Sequence, residues 1–127
     1  MTSRKKFILL IACTPLALLF FGFVQLKHLS LTGTEVTDEG LKYVNGLSQI
    51  RELYLGRTNV TDVGLKQLAE LNQLEQFSLN NTQVTDAGLE HLKGLRKLEY
   101  LELHDTHVTD EGLKKLQQAL PNCGIVH

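Results

Sequence analysis

The sequence has little cysteine and no concentration of basic charge beyond its first few residues, and both shortages narrow what the chain can be. Its two cysteines are Cys13, inside an apolar run, and Cys123, near the C-terminus. A disulfide framework needs more thiols at regular spacing, so none is expected. Cys123 reads as a small buried hydrophobe rather than a nucleophile. Of the thirteen lysines and arginines, Arg4, Lys5 and Lys6 sit at the head, which leaves ten against fourteen acidic residues from position 26 onward, a formal charge of −4. No basic patch is left there to neutralise phosphates, which speaks against nucleic acid as a partner. Also missing are a Ser-His-Asp constellation, a glycine-rich phosphate loop and paired carboxylates at catalytic spacing. No enzymatic activity and no cofactor is expected.

What is present begins with an apolar run from Phe7 to Val24, broken only by Thr14, Pro15 and Gly22. At the helical rise these residues span about 27 Å, close to the hydrocarbon thickness of a bilayer. The leading reading of residues 1–25 is an uncleaved signal anchor, with Lys5 and Lys6 in the cytoplasm and the remainder of the chain outside it. Alternatives are a cleaved signal peptide, against which Phe20-Phe21-Gly22-Phe23-Val24-Gln25 is a poor peptidase site, and a lipoprotein lipidated at Cys13 within Leu10-Ile11-Ala12-Cys13. In the remaining case the segment is simply buried. The first three place the protein at the cytoplasmic membrane or export it.

From Leu26 the chain repeats every 24 residues. Leu26, Ile50, Leu74 and Leu98 open each unit, followed by Leu29, Leu53, Phe77 and Leu101 and by Leu31, Leu55, Leu79 and Leu103. Then come Thr34, Thr58, Thr82 and Thr106, Val36, Val60, Val84 and Val108, the pairs Thr37-Asp38, Thr61-Asp62, Thr85-Asp86 and Thr109-Asp110, and the pairs Gly40-Leu41, Gly64-Leu65, Gly88-Leu89 and Gly112-Leu113. Four units are read at 26–49, 50–73, 74–97 and 98–121, with a short C-terminal cap.

The pattern LxxLxLxxTxVTDxGLxxL resembles the leucine-rich repeat, and its VTDxGL segment is similar to the variant shared by F-box leucine-rich proteins and many bacterial repeat proteins. The resemblance implies an α/β solenoid over 26–127, with short parallel strands inside the curve and helices outside, here preceded by an N-terminal hydrophobic helix. Threonine at 34, 58, 82 and 106 departs from the family's usual Asn or Cys. Its hydroxyl is expected to bond the backbone of adjacent turns in a weaker ladder.

Residue types account for one unit. In Leu53-Tyr54-Leu55 the alternation sends the leucines inward and Tyr54 outward, as in a short strand. Thr61 suits a helix N-cap, and Asp62 suits the positive end of the helix dipole. Leu65, Leu68 and Leu71 form one apolar stripe. Gly64 weakens the helix, so its recurrence suggests close approach to the neighbouring coil. A lone unit cannot bury its apolar side, and stacking closes the core. Ile125 lies 24 residues after Leu101 and is read as a truncated fifth strand with Cys123 packed beneath it. No separate N-terminal cap is visible.

The resemblance implies that the concave sheet is the ligand surface, and the alternation supplies its residues. One column is His28, Glu52, Gln76 and Tyr100, the next is Ser30, Tyr54, Ser78 and Glu102, and the loop edge is Thr32, Gly56, Asn80 and His104, beside Gly33, Arg57, Asn81 and Asp105. The candidate partner-binding set is Glu52, Tyr54, Arg57, Gln76, Asn80, Tyr100, Glu102 and His104, with the two tyrosines and the arginine the types that dominate interfaces. The rival reading is a solvated polar face. Metal binding is not expected: capping explains the four aspartates, and His104-Asp105-Thr106-His107 lacks a further ligand and a constrained geometry. The functional expectation is a module binding a protein, or a glycan, at the membrane or outside the cytoplasm. A self-associating structural unit is the alternative. A ubiquitin ligase substrate adaptor rests only on the F-box likeness, and no F-box-like helical region precedes the repeats.

Overall fold

The computed structural model describes residues 26–127. The anchor, signal-peptide and Cys13 readings of residues 1–25, and the N-terminal hydrophobic helix with them, lie outside the described residues. Among the described residues no helix is long and apolar enough to cross a membrane.

Each 24-residue unit forms one coil of a solenoid. The strands are β1 (His28–Ser30), β2 (Glu52–Tyr54), β3 (Gln76–Ser78), β4 (Tyr100–Glu102) and β5 (Gly124–Val126), and the helices are α1 (Asp38–Val44), α2 (Asp62–Leu68), α3 (Asp86–Leu89) and α4 (Asp110–Ala119). In the third coil a 3-10 turn, Glu90–Leu92, continues α3. The strands form one parallel sheet in sequence order. Its register is the repeat period itself, since Leu29, Leu53, Phe77, Leu101 and Ile125 are successive partners. The fifth strand expected from Ile125 is therefore β5.

The leucine columns build the core. Leu53, Leu55, Val60, Leu65, Leu68, Leu71 and Leu74 are all buried, and Phe77 fills the strand position taken by leucine in the neighbouring coils. Cys123 is buried under the C-terminal turn, and burial pushes its thiol up to about 11. A thiol so placed stays protonated and shielded. In a Cys13→Ser background, maleimide at pH 8 is expected to label Cys123 only after denaturation, which mass spectrometry of the two states would check.

The threonine column behaves differently from the expectation. Thr34, Thr58 and Thr82 donate their hydroxyls to the carbonyls of Leu31, Leu55 and Leu79 at 2.6–2.7 Å, and Thr106 donates to Leu103 at 2.8 Å. These bonds close the turn within each coil rather than joining adjacent coils. The hydroxyl is too short to reach the next backbone and finds a carbonyl three residues earlier in its own coil.

The coils are joined instead by the aspartates. Asp62 accepts from the Thr85 backbone N–H at 2.8 Å and from the Thr85 hydroxyl at 2.6 Å. Asp38 accepts from Thr61 at 2.8 and 2.5 Å, and Asp86 from Thr109 at 2.8 and 2.6 Å. The threonine hydroxyl, which donates its hydrogen bond to the carboxylate, presents a lone pair to its own helix. Thr61 thus accepts from Val63 N–H, Thr85 from Ala87 N–H and Thr109 from Gly112 N–H. Thr37 stands in the first coil, with no aspartate at position 14, and its side chain makes no cap bond. Asp38, Asp62 and Asp86 therefore each orient the N-cap of the coil that follows.

The two bonds from Thr109, the hydroxyl's first and the backbone N–H's second, hold the Asp86 carboxyl below its ordinary value near 3.8. A carboxylate depressed in the folded state contributes stability above its unfolded pKa and loses it as pH falls through the folded one. The melting midpoint is expected to drop on acidification below about pH 4, with a smaller drop in Asp86→Asn. Circular dichroism melts between acidic and neutral pH would measure the difference.

Candidate functional site

The parallel register places the outward columns side by side. His28, Glu52, Gln76 and Tyr100 are successive partners across the sheet, followed by Gly124, and Ser30, Tyr54, Ser78 and Glu102 form the second row. The alternation of a strand puts both rows on the concave surface while Leu29, Leu53, Phe77 and Leu101 point into the core.

Within these rows the structure separates two hydrogen-bonded groups. In the first, His28 Nδ1 lies 2.8 Å from Glu52 Oε2, and the Tyr54 hydroxyl donates to Gln76 Oε1 at 3.0 Å and to Glu52 Oε2 at 3.3 Å. The His28 and Tyr54 rings are 5.3 Å apart. Burial raises the Tyr54 pKa above its ordinary 10.0, and the charge of Glu52, its hydrogen bond and the charge of Glu102 add to the rise. The hydroxyl is thus a fixed, neutral donor. In the second group Asn80 Nδ2 donates to Glu102 Oε2 at 2.8 Å, and Asn80 Oδ1 accepts the His104 backbone N–H at 2.8 Å. Tyr100 joins neither group and leaves 41% of its surface exposed.

Of the sequence candidates, Glu52, Tyr54 and Gln76 are therefore brought together, as are Asn80, Glu102 and the backbone of His104. Tyr100, the cross-strand neighbour of Gln76, and Arg57 are exposed and make no side-chain hydrogen bond or ion pair with these groups.

Arg57 occupies an unusual backbone position. The residue after the strand-end turn is left-handed in every repeat, with φ of 70° at Gly33, 56° at Arg57, 57° at Asn81 and 54° at Asp105. Glycine adopts this region freely, and Asn and Asp tolerate it. Arginine does not. The recurrence of Gly, Asn and Asp at this offset is the sequence signal that could have shown the turn. The turn itself imposes the conformation, since Arg57 N–H bonds the Asn80 carbonyl at 2.9 Å as Gly33 bonds Gly56 and Asn81 bonds His104, so a long side chain is held where the other coils place residues that bear the strain more easily.

A further column escapes inspection of the strands alone. Just before them, Arg51 N–H bonds Lys27 carbonyl at 2.7 Å, Glu75 N–H bonds Arg51 carbonyl at 2.7 Å, and Glu99 N–H bonds Glu75 carbonyl at 2.8 Å. Lys27, Arg51, Glu75 and Glu99 therefore line the N-terminal edge of the sheet in coil order. In the middle, Arg51 Nη1 and Glu75 Oε1 form an ion pair at 3.4 Å. Among the described residues no three His, Cys, Asp or Glu side chains lie together as a metal site would require.

No curated protein sequence matches the chain closely enough to count as a relative. Among solved structures it is similar to a leucine-rich repeat protein of Leptospira interrogans, with 22% identity over 90% of this chain and a TM-score of 0.57, and to internalin C2 of Listeria monocytogenes, with 26% identity over 79% and a TM-score of 0.60. It spans 34% of the first and 40% of the second. A Chaetomium structure of Mex67:Mtr2 subunits is similar at 19% identity over 78% of this chain and 76% of that one, with a TM-score of 0.62. The sequence profile described as leucine-rich repeat matches residues 26–44, 48–69 and 94–116, half of the chain, so with the 24-residue register and the parallel strand-and-helix coils on the same residues, this chain belongs to the leucine-rich repeat family.

Proposed function

We propose that this protein is an interaction module that binds a polypeptide partner on its concave sheet and is held at the outer face of a cytoplasmic membrane by residues 7–24. Leucine-rich repeat proteins are in general protein-interaction modules. The observation that carries the concave reading is Arg57, held left-handed at the rim of the sheet where the other coils place Gly, Asn or Asp. It stands on the same surface as Tyr100, whose ring is solvent-facing and makes no hydrogen bond. The recurring Leu, Thr, Asp and Gly columns are consumed by core, turn and coil-to-coil contacts, so specificity falls to the variable residues on this face. The membrane display rests on the length and apolarity of Phe7 to Val24 and on the basic residues ahead of it.

Site-specific photocrosslinking in the native host tests the reading. A benzophenone side chain at position 100 is expected to trap a discrete protein partner that the same group at Val63, exposed on α2, does not trap. Crosslinking equal at both positions sinks the concave assignment. Protease accessibility of the repeats in intact and lysed spheroplasts tests the display, and protection only in intact spheroplasts would place the repeats inside. Arg57→Gly is expected to stabilise the fold by up to about 1 kcal/mol by removing left-handed strain. Thermal melts check that gain, and the same variant should lose the position-100 crosslink.

A further inference from the structure

Both edges of the concave sheet change sign along the solenoid. On the N-terminal edge Lys27 and Arg51 in the first two coils give way to Glu75 and Glu99 in the next two. On the C-terminal edge the charges run from Arg57 in the second coil to Asp105 in the fourth. Between the edges each half carries one carboxylate, Glu52 in the second coil, bonded to His28 and Tyr54, and Glu102 in the fourth, bonded to Asn80, so the edge residues set the difference in sign. The central Arg51–Glu75 pair neutralises itself. That leaves Lys27 and Arg57 at one end, and Glu99 and Asp105 at the other, without an ion-pair partner among the described residues.

The dimensions select the occupant. Three strand-to-strand steps of about 4.8 Å separate the first coil from the fourth, about 14 Å, and an extended chain covers that distance in about four residues. Each strand is three residues long, so the face is a narrow strip running across the coils. It suits a single extended segment. We infer that the concave face binds an extended, charge-segregated peptide of about six residues lying across the strands, its acidic end over coils one and two and its basic end over coils three and four. Tyr54 and Tyr100 supply the uncharged contact surface under it. The inference rests on the concave face being the binding surface and adds the partner's chemistry and orientation.

Two end-blocked synthetic hexapeptides of one composition test it. One carries two aspartates, two serines and two lysines in that order, and the other alternates the charges. Isotope-labelled full-length protein in detergent micelles is titrated with each, and backbone amide shifts are followed at Arg57, Ser78 and Tyr100. The segregated peptide is expected to bind about three- to tenfold more tightly at low salt, and to lose that advantage as salt is added. Lys27→Glu combined with Arg57→Glu, both at exposed positions, should erase the preference while leaving the rest of the spectrum dispersed. Equal affinities overturn the charge ordering and leave the concave reading standing. Absence of shifts on this face with either peptide overturns both.

Discussion

Asp62→Ala is expected to destabilise the protein by about 2 kcal/mol, whereas Asp110→Ala costs less than about 1 kcal/mol, although the two aspartates occupy the same position in their repeats. A pure helix-dipole role would make them equal, because each stands at the first position of its helix. The structure makes them unequal. Asp62 satisfies two donors of Thr85 and fixes the hydroxyl that caps α3, so its loss removes a charge-assisted pair and loosens the next N-cap. Among the described residues no threonine donates to Asp110, which stands in the first turn of α4 and faces its dipole. Asp38→Ala should resemble Asp62→Ala, while Asp86→Ala should fall between the extremes because its bonds to Thr109 are more exposed. For about 100 folded residues, 2 kcal/mol lowers the melting midpoint by roughly 10 °C. Equal midpoints for the Asp62 and Asp110 variants would refute the coil-to-coil role.

That role shows where the sequence was legible and where it was not. The 24-residue period contained the whole strand register, because every repeat has the same length and each Leu29-type residue pairs with its copy one coil on. It also located the buried leucines and the concave columns. Thr61 and Asp62 are chain neighbours, and their residue types alone point to a local cap. Their strongest partners are not. Asp62 reaches a threonine 23 residues later, and that contact exists only once the coils are stacked. The same limit applied to Thr58, whose hydroxyl turned back into its own coil. On the concave face, the columns followed from alternation, but the pairing of Tyr54 with Gln76 and Glu52 depended on side-chain directions that a period cannot specify. The left-handed turn was present in the sequence as Gly33, Asn81 and Asp105, and Arg57 obscured it.

The glycine column follows from the same contact. A Cβ at Gly88 would lie 2.9 Å from Leu65 Cδ1 and would collide with the carboxylate of Asp62. That carboxylate is pinned by Thr85 and cannot swing aside without releasing both of its bonds. Gly88→Ala is therefore expected to cost about 2–3 kcal/mol, although alanine favours a helix over glycine by up to about 1 kcal/mol. Gly94, around which a Cβ would meet nothing within 4 Å, is the control, and Gly94→Ala should stabilise the protein by about 0.5 kcal/mol. The two effects of Asp62 and Gly88 are coupled. Once Asp62 is truncated to alanine, the largest obstacle to a Cβ at Gly88 is gone and only Leu65 must give way. In that background Gly88→Ala should cost less than about 1 kcal/mol, so a double-mutant cycle by urea denaturation would yield a coupling of more than 1 kcal/mol. Additive costs would mean that the glycine serves the leucine packing alone, and that the aspartate, free to move, is not the rigid element that sets the spacing between coils.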